Sequence, residues 1–289
     1  MLKIVAPIDF SDTSATAFKY ACQLADRTGF DLKVVHIHDG YGSSDRLVEK
    51  KGNPEARAEV KRQMEQFIRF NADPTSFTAT AGDQADDRPF IETEEHVGSP
   101  TPVLRKLSED PSTAMIVMGG VGSGAVSRVT PLFGSVASSV TMNAACPILL
   151  VPQGAEVPDI KVASIAFNTV QDLEEVSDGC RFLRDALEPA MRFVHVRDKD
   201  AQQEEGKETE LLETVLDTTF PGYPVELDLL PPGAIATRLL EYTLESSVDL
   251  LIMGHRQRGF FKKLFVGSEI LPVLENSGTP LMVIPISDQ

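Results

Sequence analysis

Short apolar runs alternate with helical repeats along the whole chain. In the first half, the runs IVAPI, LKVVHI, AMIVMG and ILLVP are apolar on nearly every residue, which predicts strands buried on both faces of a parallel sheet. Between and after such runs, apolar side chains recur at the spacing of a helical face. The segments with this spacing are residues 13–28, 59–70, 102–107 and 234–244. Gly29 is the expected C-cap of the first of these helices. Strands that alternate with helices predict an α/β fold.

The same four strand patterns occur twice, in the same order. KIVAPIDFSD is echoed by KVASIAFNTV, LKVVHIHD by MRFVHVRD, STAMIVMGG by SVDLLIMGH, and CPILLVP by TPLMVIP. His36 and His195 are separated by the same number of residues as Asp9 and Asn168. Four matched blocks in one order indicate an internal duplication. We therefore predict two tandem doubly wound domains, each a five-stranded parallel sheet with helices on both faces.

The duplication also sets the expected domain boundaries. The first domain spans residues 1–152, a polar linker covers 153–160, and the second domain spans 161–289. Residues 40–97 are polar and charged, so we interpret them as a long middle insertion of the first domain, a solvated surface segment containing a helix and a loop.

Charge and composition limit the classes of partner and the cellular compartment that we expect for this protein. The 289 residues carry a formal net charge of −16, which argues against nonspecific binding to nucleic acid or to anionic membranes. No apolar run reaches the length of a membrane span, and acidic residues near the start leave no room for a signal-peptide core. The three cysteines are far apart in sequence, as expected for buried thiols in a reducing compartment. We expect a cytoplasmic protein.

The candidate site lies where the predicted strands end. Ligands of an open parallel sheet bind beyond the carboxyl ends of its strands, where the strand order reverses. Residues 7–11, residues 36–38 and the glycine-rich run from Gly119 should meet there. Glycines let backbone amides approach phosphate, and the helix expected to start near Ser135 adds free N–H groups. Asp9 is suited to accept hydrogen bonds from ribose hydroxyls or to hold a metal-bound water.

Several familiar motifs of catalysis are absent from the sequence. There is no phosphate-binding loop of the G-x-x-x-x-G-K-[ST] type, no G-x-G-x-x-G after the first strand and no G-x-S-x-G elbow. Among the histidines only His36 and His38 have a metal-site spacing, and no third ligand accompanies them. We interpret His36 as a structural residue and expect neither a catalytic residue nor a metal site.

Taken together, the motifs resemble those of the universal stress protein family in its tandem two-domain form. The first copy carries PIDFSDTSATA, VVHIHD, IVMGG followed by FGSVASSV, and CPILLVP. The second carries VHVRD, LLIMGH followed by VGSEI, and TPLMVIP. The resemblance covers essentially the whole chain. It implies that the two copies pair with each other, with residues 148–151 and 281–284 as candidates for the contact, and it leaves open a homodimer of whole chains.

The family's ATP-binding members carry Gly, two residues, Gly, nine residues, and then Gly followed by Ser or Thr. The resemblance implies that Asp9 and the backbone of Ile37 hold adenosine, while glycines and a serine hold the phosphates. The nucleotide-binding residues implied for the first copy are Pro7, Asp9, Ile37, Gly119, Gly122, Gly134 and Ser135. Here residues 123–133 intervene where the family has nine positions, so the loop is longer than the pattern.

The second copy keeps the spacing of that pattern but changes its residues. Gln257 stands at a glycine position and Asn168 stands at the acid position. The candidates in this copy are Asn168, Val196, Gly254, Arg258, Gly267 and Ser268. The cluster Arg256, Arg258, Lys262 and Lys263 would attract phosphate or simply form a solvated loop end. Asp9 and its glycines favour the first copy as the site.

Two functions remain open from the sequence. The first is a stress-response sensor or regulator that binds ATP or another adenine nucleotide in at least one domain, with or without Mg²⁺, and hydrolyses it slowly at most. The alternative is a nucleotide-free interaction module whose degenerate sites have become structural. An enzyme such as a nucleotidyl transferase is disfavoured, because neither an S-G-G-x-D-S loop nor an H-x-G-H motif is present.

Overall fold

The computed structural model of the chain describes seven segments: residues 1–38, 54–72, 90–120, 133–155, 160–197, 222–256 and 270–286. The chain divides into two compact units. Unit one comprises Met1–Thr130 and Gly134–Val157, and unit two comprises Pro131–Phe133 and Pro158–Gln289. None of the described helices is both long enough and apolar enough to cross a bilayer.

Unit one is a doubly wound α/β structure. Its strands, all parallel, lie in the order β3-β2-β1-β4-β5, so the chain order reverses between β1 and β4. The strands are β1 (Lys3–Ile8), β2 (Asp31–His38), β3 (Ile91–Val97), β4 (Thr113–Gly119) and β5 (Ile148–Val151). The helices are α1 (Asp12–Thr28), α2 (Pro54–Asn71), α3 (Pro100–Ser108) and α4 (Ser135–Thr141).

Unit two repeats this arrangement in the order β8-β7-β6-β9-β10, again with parallel pairing. The strands are β6 (Val162–Ala166), β7 (Ala190–Val196), β8 (Val225–Leu230), β9 (Leu250–Arg256) and β10 (Leu281–Ile286). The helices are α5 (Val170–Gly179), α6 (Arg181–Leu187), α7 (Ile235–Glu245) and α8 (Ile270–Asn276). The predicted fold class, two tandem five-stranded parallel α/β halves, is confirmed.

Helix α1 illustrates why the sequence folds as predicted. Its apolar face, including Ala17, Ala21 and Leu24, is buried against β1 and β4. The Ser11 hydroxyl accepts a hydrogen bond from the Ser14 amide and caps the N-terminus. Gly29 adopts the left-handed conformation (φ 69°) and donates its N–H to the Ala25 carbonyl, which confirms it as the C-cap.

The interpretation of residues 40–97 as a solvated insertion is corrected in part: the segment contains the expected helix, α2, but its last residues form strand β3. Strand β3 pairs with β2 along its whole length and forms the edge of the sheet. Two of its carboxylates pair with lysines of β1 and β2, with Lys3 Nζ 2.7 Å from Glu92 and Lys33 Nζ 2.6 Å from Glu94. An edge strand stabilised by such charge pairs has no apolar run, so it looked like a solvated loop.

Helix α2 packs on the rest of unit one through the apolar residues that predicted it. Met64 is fully buried. The Phe67 ring lies edge-on to Phe18 of α1, at 5.7 Å between centroids, and to Phe10 at 5.9 Å. The helix therefore covers the region where β1 passes into α1.

Candidate functional site

The candidate site of unit one lies at the carboxyl ends of β1, β2 and β4. The last paired residue of β1 is Ile8, which lies opposite His36. Strand β2 continues to His38, so Ile37 lies beyond the end of β1, while Gly119 ends β4 on the other side. The predicted residues Pro7, Asp9, Ile37 and Gly119 are thus brought to one edge, at the point where strand order reverses.

Asp9 is the exposed acid at this edge. Its Oδ1 accepts hydrogen bonds from the backbone N–H (3.1 Å) and the hydroxyl of Ser11. The Asp9 amide donates to Ser14 Oγ at 3.4 Å, which ties the same turn to α1. Among the described residues, Asp9 Oδ2 has no hydrogen-bond partner, so one carboxylate oxygen is held while the other is left to accept further hydrogen bonds.

Phe10, directly after the acid, has an unusual backbone conformation. Its φ is +63°, a left-handed value that is rare for a bulky residue and costs about 1–2 kcal/mol. The ring packs at 4.5 Å from the imidazole of His36 and edge-on to Phe67. This strained turn could not be predicted from the sequence, because the conformation depends on contacts with residues of β2 and α2.

His36 secures the end of β1. Its Nδ1 lies 2.9 Å from the Ile8 carbonyl oxygen, and because a carbonyl only accepts, Nδ1 carries the hydrogen and donates it. The ring stacks on that of His38 with centroids 5.6 Å apart, as the alternation along β2 predicts. These contacts agree with the structural role expected for His36.

Gly119 is required by packing. A Cβ at this position would lie within 3.0 Å of the carbonyl oxygen and carbon of Thr13, at the start of α1. The absent side chain lets the end of β4 approach the helix N-terminus beside Asp9. Gly119 was predicted to let the backbone approach phosphate, but in the structure it lets β4 approach the backbone of Thr13.

Gly134 differs from Gly119 in its surroundings. A Cβ here would meet no atom within 4 Å, and its φ of −73° is open to any residue. Gly134 is the N-cap of α4, so the helix begins at Ser135, where it was expected to start. Ser135 is the exposed first helical residue. Since α4 connects β4 to the parallel strand β5, its first amides, which lack intrahelical acceptors, lie toward the carboxyl edge of the sheet.

The corresponding edge of unit two lacks the acid. Asn168 is exposed and makes no hydrogen bond to any residue that the structure describes. Thr169 is extended (φ −128°) and caps α5 by accepting from the Asp172 amide at 3.1 Å. Val196 is buried at the end of β7. A Cβ on Gly254 would contact the side chains of Val176 and Ile286, so this glycine also serves packing.

An ion pair links the end of β9 to α5. Arg256 Nε donates to Asp172 Oδ1 at 3.1 Å, and its Nη2 donates to the same oxygen. Asp172 lies in the first turn of α5. Arg256, predicted to belong to a phosphate-attracting cluster, therefore already has a carboxylate partner. The sequence did not reveal this pairing, since the two residues are far apart along the chain.

Four predicted site residues lie outside the described segments. They are Gly122 of the first copy and Arg258, Gly267 and Ser268 of the second.

The strand order and the edge residues define a doubly wound α/β protein whose candidate residues lie at its switch point. The model of the universal stress protein family matches residues 1–152 and 181–285, which is most of the chain. The chain belongs to the universal stress protein family, as the resemblance of its motifs predicted.

Known proteins agree with this assignment. A universal stress protein of Methanocaldococcus jannaschii is 30% identical over 159 residues, which cover 52% of this chain and 81% of that protein. The crystal structure of a universal stress protein from Archaeoglobus fulgidus superimposes with a TM-score of 0.70 over 98% of both chains, at 19% identity. A functionally unknown protein of Pseudomonas aeruginosa follows with a TM-score of 0.64, at 11% identity, over 98% of this chain and 92% of its own. These two structures establish a shared tandem fold.

Proposed function

We propose that this chain is a stress-response sensor or regulator that binds an adenine nucleotide, with ATP as the leading candidate, in unit one. The observation that carries the proposal is the Asp9 carboxylate at the switch point, with Oδ1 held by Ser11 and Oδ2 without a partner among the described residues. An acceptor fixed in this way is suited to a pair of ribose hydroxyls.

The other residues would act as follows. The backbone of Ile37, beyond the end of β1, would contact the adenosine portion together with Pro7, whose register partner on β2 is Val35. The phosphates, with or without Mg²⁺, would lie toward α4, where the open space at Gly134 and the Ser135 hydroxyl and amide offer room and donors. Gly119 would keep the end of β4 close to α1, and Gly122 is the proposed second glycine of the phosphate loop.

Unit two would bind nucleotide weakly or not at all. Asn168 supplies no negative charge for ribose hydroxyls, and the Arg256 charge is compensated by Asp172. The remaining candidates there, Val196, Gly254, Arg258, Gly267 and Ser268, would then be vestigial. We therefore expect one nucleotide per chain.

Titration calorimetry with ATP and magnesium tests the proposal. Asp9→Ala is expected to weaken binding at least about tenfold, the loss of charge-assisted hydrogen bonds. Its matched control is Asn168→Ala, the same position of the second copy, which should leave the affinity within about twofold. A wild-type chain that gives no heat at millimolar ATP contradicts the proposal. Weaker binding in the Asn168 variant, with Asp9→Ala unchanged, would move the site to unit two.

The ion pair at the edge of unit two favours a second candidate function, a nucleotide-free interaction module, for unit two only. Because Arg256 and Asp172 tie β9 to α5, this edge would serve as a fixed surface in a nucleotide-free interaction module. If neither wild type nor Asp172→Asn binds ATP, that reading would extend to the whole chain.

A further inference from the structure

We propose that His36 is a positioning residue for the nucleotide site, acting through Ile8 and Phe10 on the carboxylate of Asp9. The inference rests on the proposed function of unit one and adds to it a residue that would not itself touch the ligand.

The first step is the peptide that joins β1 to the acid. The His36 Nδ1–H donates to the Ile8 carbonyl oxygen at 2.9 Å. This carbonyl belongs to the peptide plane between Ile8 and Asp9, so the hydrogen bond fixes the direction in which the chain leaves β1. The direction of the Asp9 Cα–Cβ bond depends on that plane.

The second step is the strained residue that follows. Phe10 keeps its left-handed φ of +63° only if its surroundings compensate the cost. The His36 ring supplies one side of that packing, at 4.5 Å between centroids, and Phe67 supplies another. The reversal at Phe10 lets the Ser11 amide return to Asp9 Oδ1, while Oδ2 has no hydrogen-bond partner among the described residues.

The third step is the comparison with unit two. That unit has the histidine hydrogen bond to the strand carbonyl but no left-handed residue after the position of the acid. His195 Nδ1 donates to the Phe167 carbonyl at 3.1 Å, and Phe167 precedes Asn168 just as Ile8 precedes Asp9. The residue after Asn168, however, is extended and only caps a helix. The shared hydrogen bond is therefore structural in both units, and its effect on an acid is confined to unit one.

The chain thus provides its own control. His36→Phe keeps an aromatic ring beside Phe10 but removes the N–H donor, and His195→Phe makes the same change in unit two. We expect His36→Phe to raise the Kd for ATP about fivefold to tenfold, the worth of one hydrogen bond. His195→Phe should lower the thermal midpoint about as much as His36→Phe does. It should leave the Kd for ATP within about twofold of wild type.

Rescue separates positioning from folding. An asparagine amide reaches the place of the imidazole Nδ1 and also donates a hydrogen bond, but it lacks the ring beside Phe10. His36→Asn should therefore restore part, and not all, of the affinity that His36→Phe loses. Equal Kd values for wild type and a folded His36→Phe variant would overturn the inference while leaving the proposed function intact. A His36→Asn variant as weak as His36→Phe would also overturn it. A wild-type chain that does not bind ATP overturns both.

Discussion

The guanidinium of Arg256 donates two hydrogen bonds to one carboxylate oxygen of Asp172, and this pair joins the end of β9 to the first turn of α5. The side chains are 33% and 19% exposed, so both charges are partly withdrawn from water. At the equivalent edge of unit one, the β4 backbone at Gly119 approaches the start of α1 directly. At both junctions the strand glycine, Gly119 or Gly254, leaves no room for a side chain, and unit two adds the ion pair.

Loss of the Asp172 carboxylate should destabilise unit two. Asp172→Ala leaves a partly buried guanidinium without its partner, and we expect a loss of about 1–2 kcal/mol in the free energy of unfolding. Asp178→Ala is the control, because Asp178 pairs with Arg181 on the same helical stretch but at an exposed position. It should change the urea midpoint very little. Equal effects of the two substitutions would contradict this account of the ion pair.

Substitution by alanine should lower stability at Gly119 and nucleotide affinity at Gly134. Gly119→Ala places a methyl group against the Thr13 backbone and is expected to cost about 1–3 kcal/mol of stability. Gly134→Ala meets open space, so stability should stay within about 0.5 kcal/mol while nucleotide affinity falls, because the methyl group enters the space proposed for phosphate. Urea unfolding and calorimetry on both variants check this. A Gly119→Ala variant as stable as wild type would contradict this, because the Thr13 backbone would then be able to move away from the added methyl group.

The three thiols should be unreactive in the native chain. Burial raises the pKa of Cys146 and of Cys180 to about 12, and it raises that of Cys22 further. Since the thiolate is the reactive form, a thiol reagent at pH 8 should modify the native protein slowly and the denatured protein at all three positions. Counting modified thiols by mass spectrometry gives the result. Rapid native labelling of any one would mean that its segment opens readily.

Tyr242 should titrate late and contribute stability below that point. Burial, and then its hydrogen bond to Asp228 at 2.6 Å, raises its pKa to about 12, against about 10 in an unfolded chain. The neutral phenol is favoured in the folded state, so its stabilisation is complete below pH 10 and is lost as pH rises toward 12. Ultraviolet titration should show a late-titrating tyrosine in the wild type that is absent from Tyr242→Phe.

The same substitution tests the packing beneath α7. Tyr242 Oη also lies 3.1 Å from the hydroxyl of Ser164, which is fully buried on β6. Tyr242→Phe leaves that hydroxyl without its hydrogen-bond partner, so we expect a loss of about 1–3 kcal/mol at pH 7. The unpaired Ser164 hydroxyl would be the cause, so adding Ser164→Ala to Tyr242→Phe should recover part of the loss. No recovery in the double variant would assign the cost to Asp228 instead.

The sequence was sufficient for the buried part of the fold. Strands β1, β2, β4 and β5, and their counterparts in unit two, are apolar runs, and burial on both faces is the signal that such runs carry. Strand β3 was missed because its carboxylates are stabilised by Lys3 and Lys33, which belong to other strands. Pairing across a sheet edge leaves no periodic pattern within the strand itself.

For the site, topology was predictable and local conformation was not. Asp9, Ile37 and Gly119 follow strand ends, so the strand order alone brings them to one edge. The left-handed turn at Phe10 and the Arg256–Asp172 pair depend on side chains that meet only after folding. Even the glycine at position 119 was interpreted through a ligand, whereas the structure gives it a contact with Thr13.

Direct identification of bound nucleotide tests the central claim most sharply. The protein would be purified without added nucleotide and denatured, and any released small molecule identified and quantified by mass spectrometry. The same preparation, stripped of ligand and refolded, would then be titrated with ATP. We predict that an adenine nucleotide is released or titrates at close to one equivalent per chain. Neither released nucleotide nor saturable binding at millimolar ATP, in a preparation shown to be folded, would contradict the account.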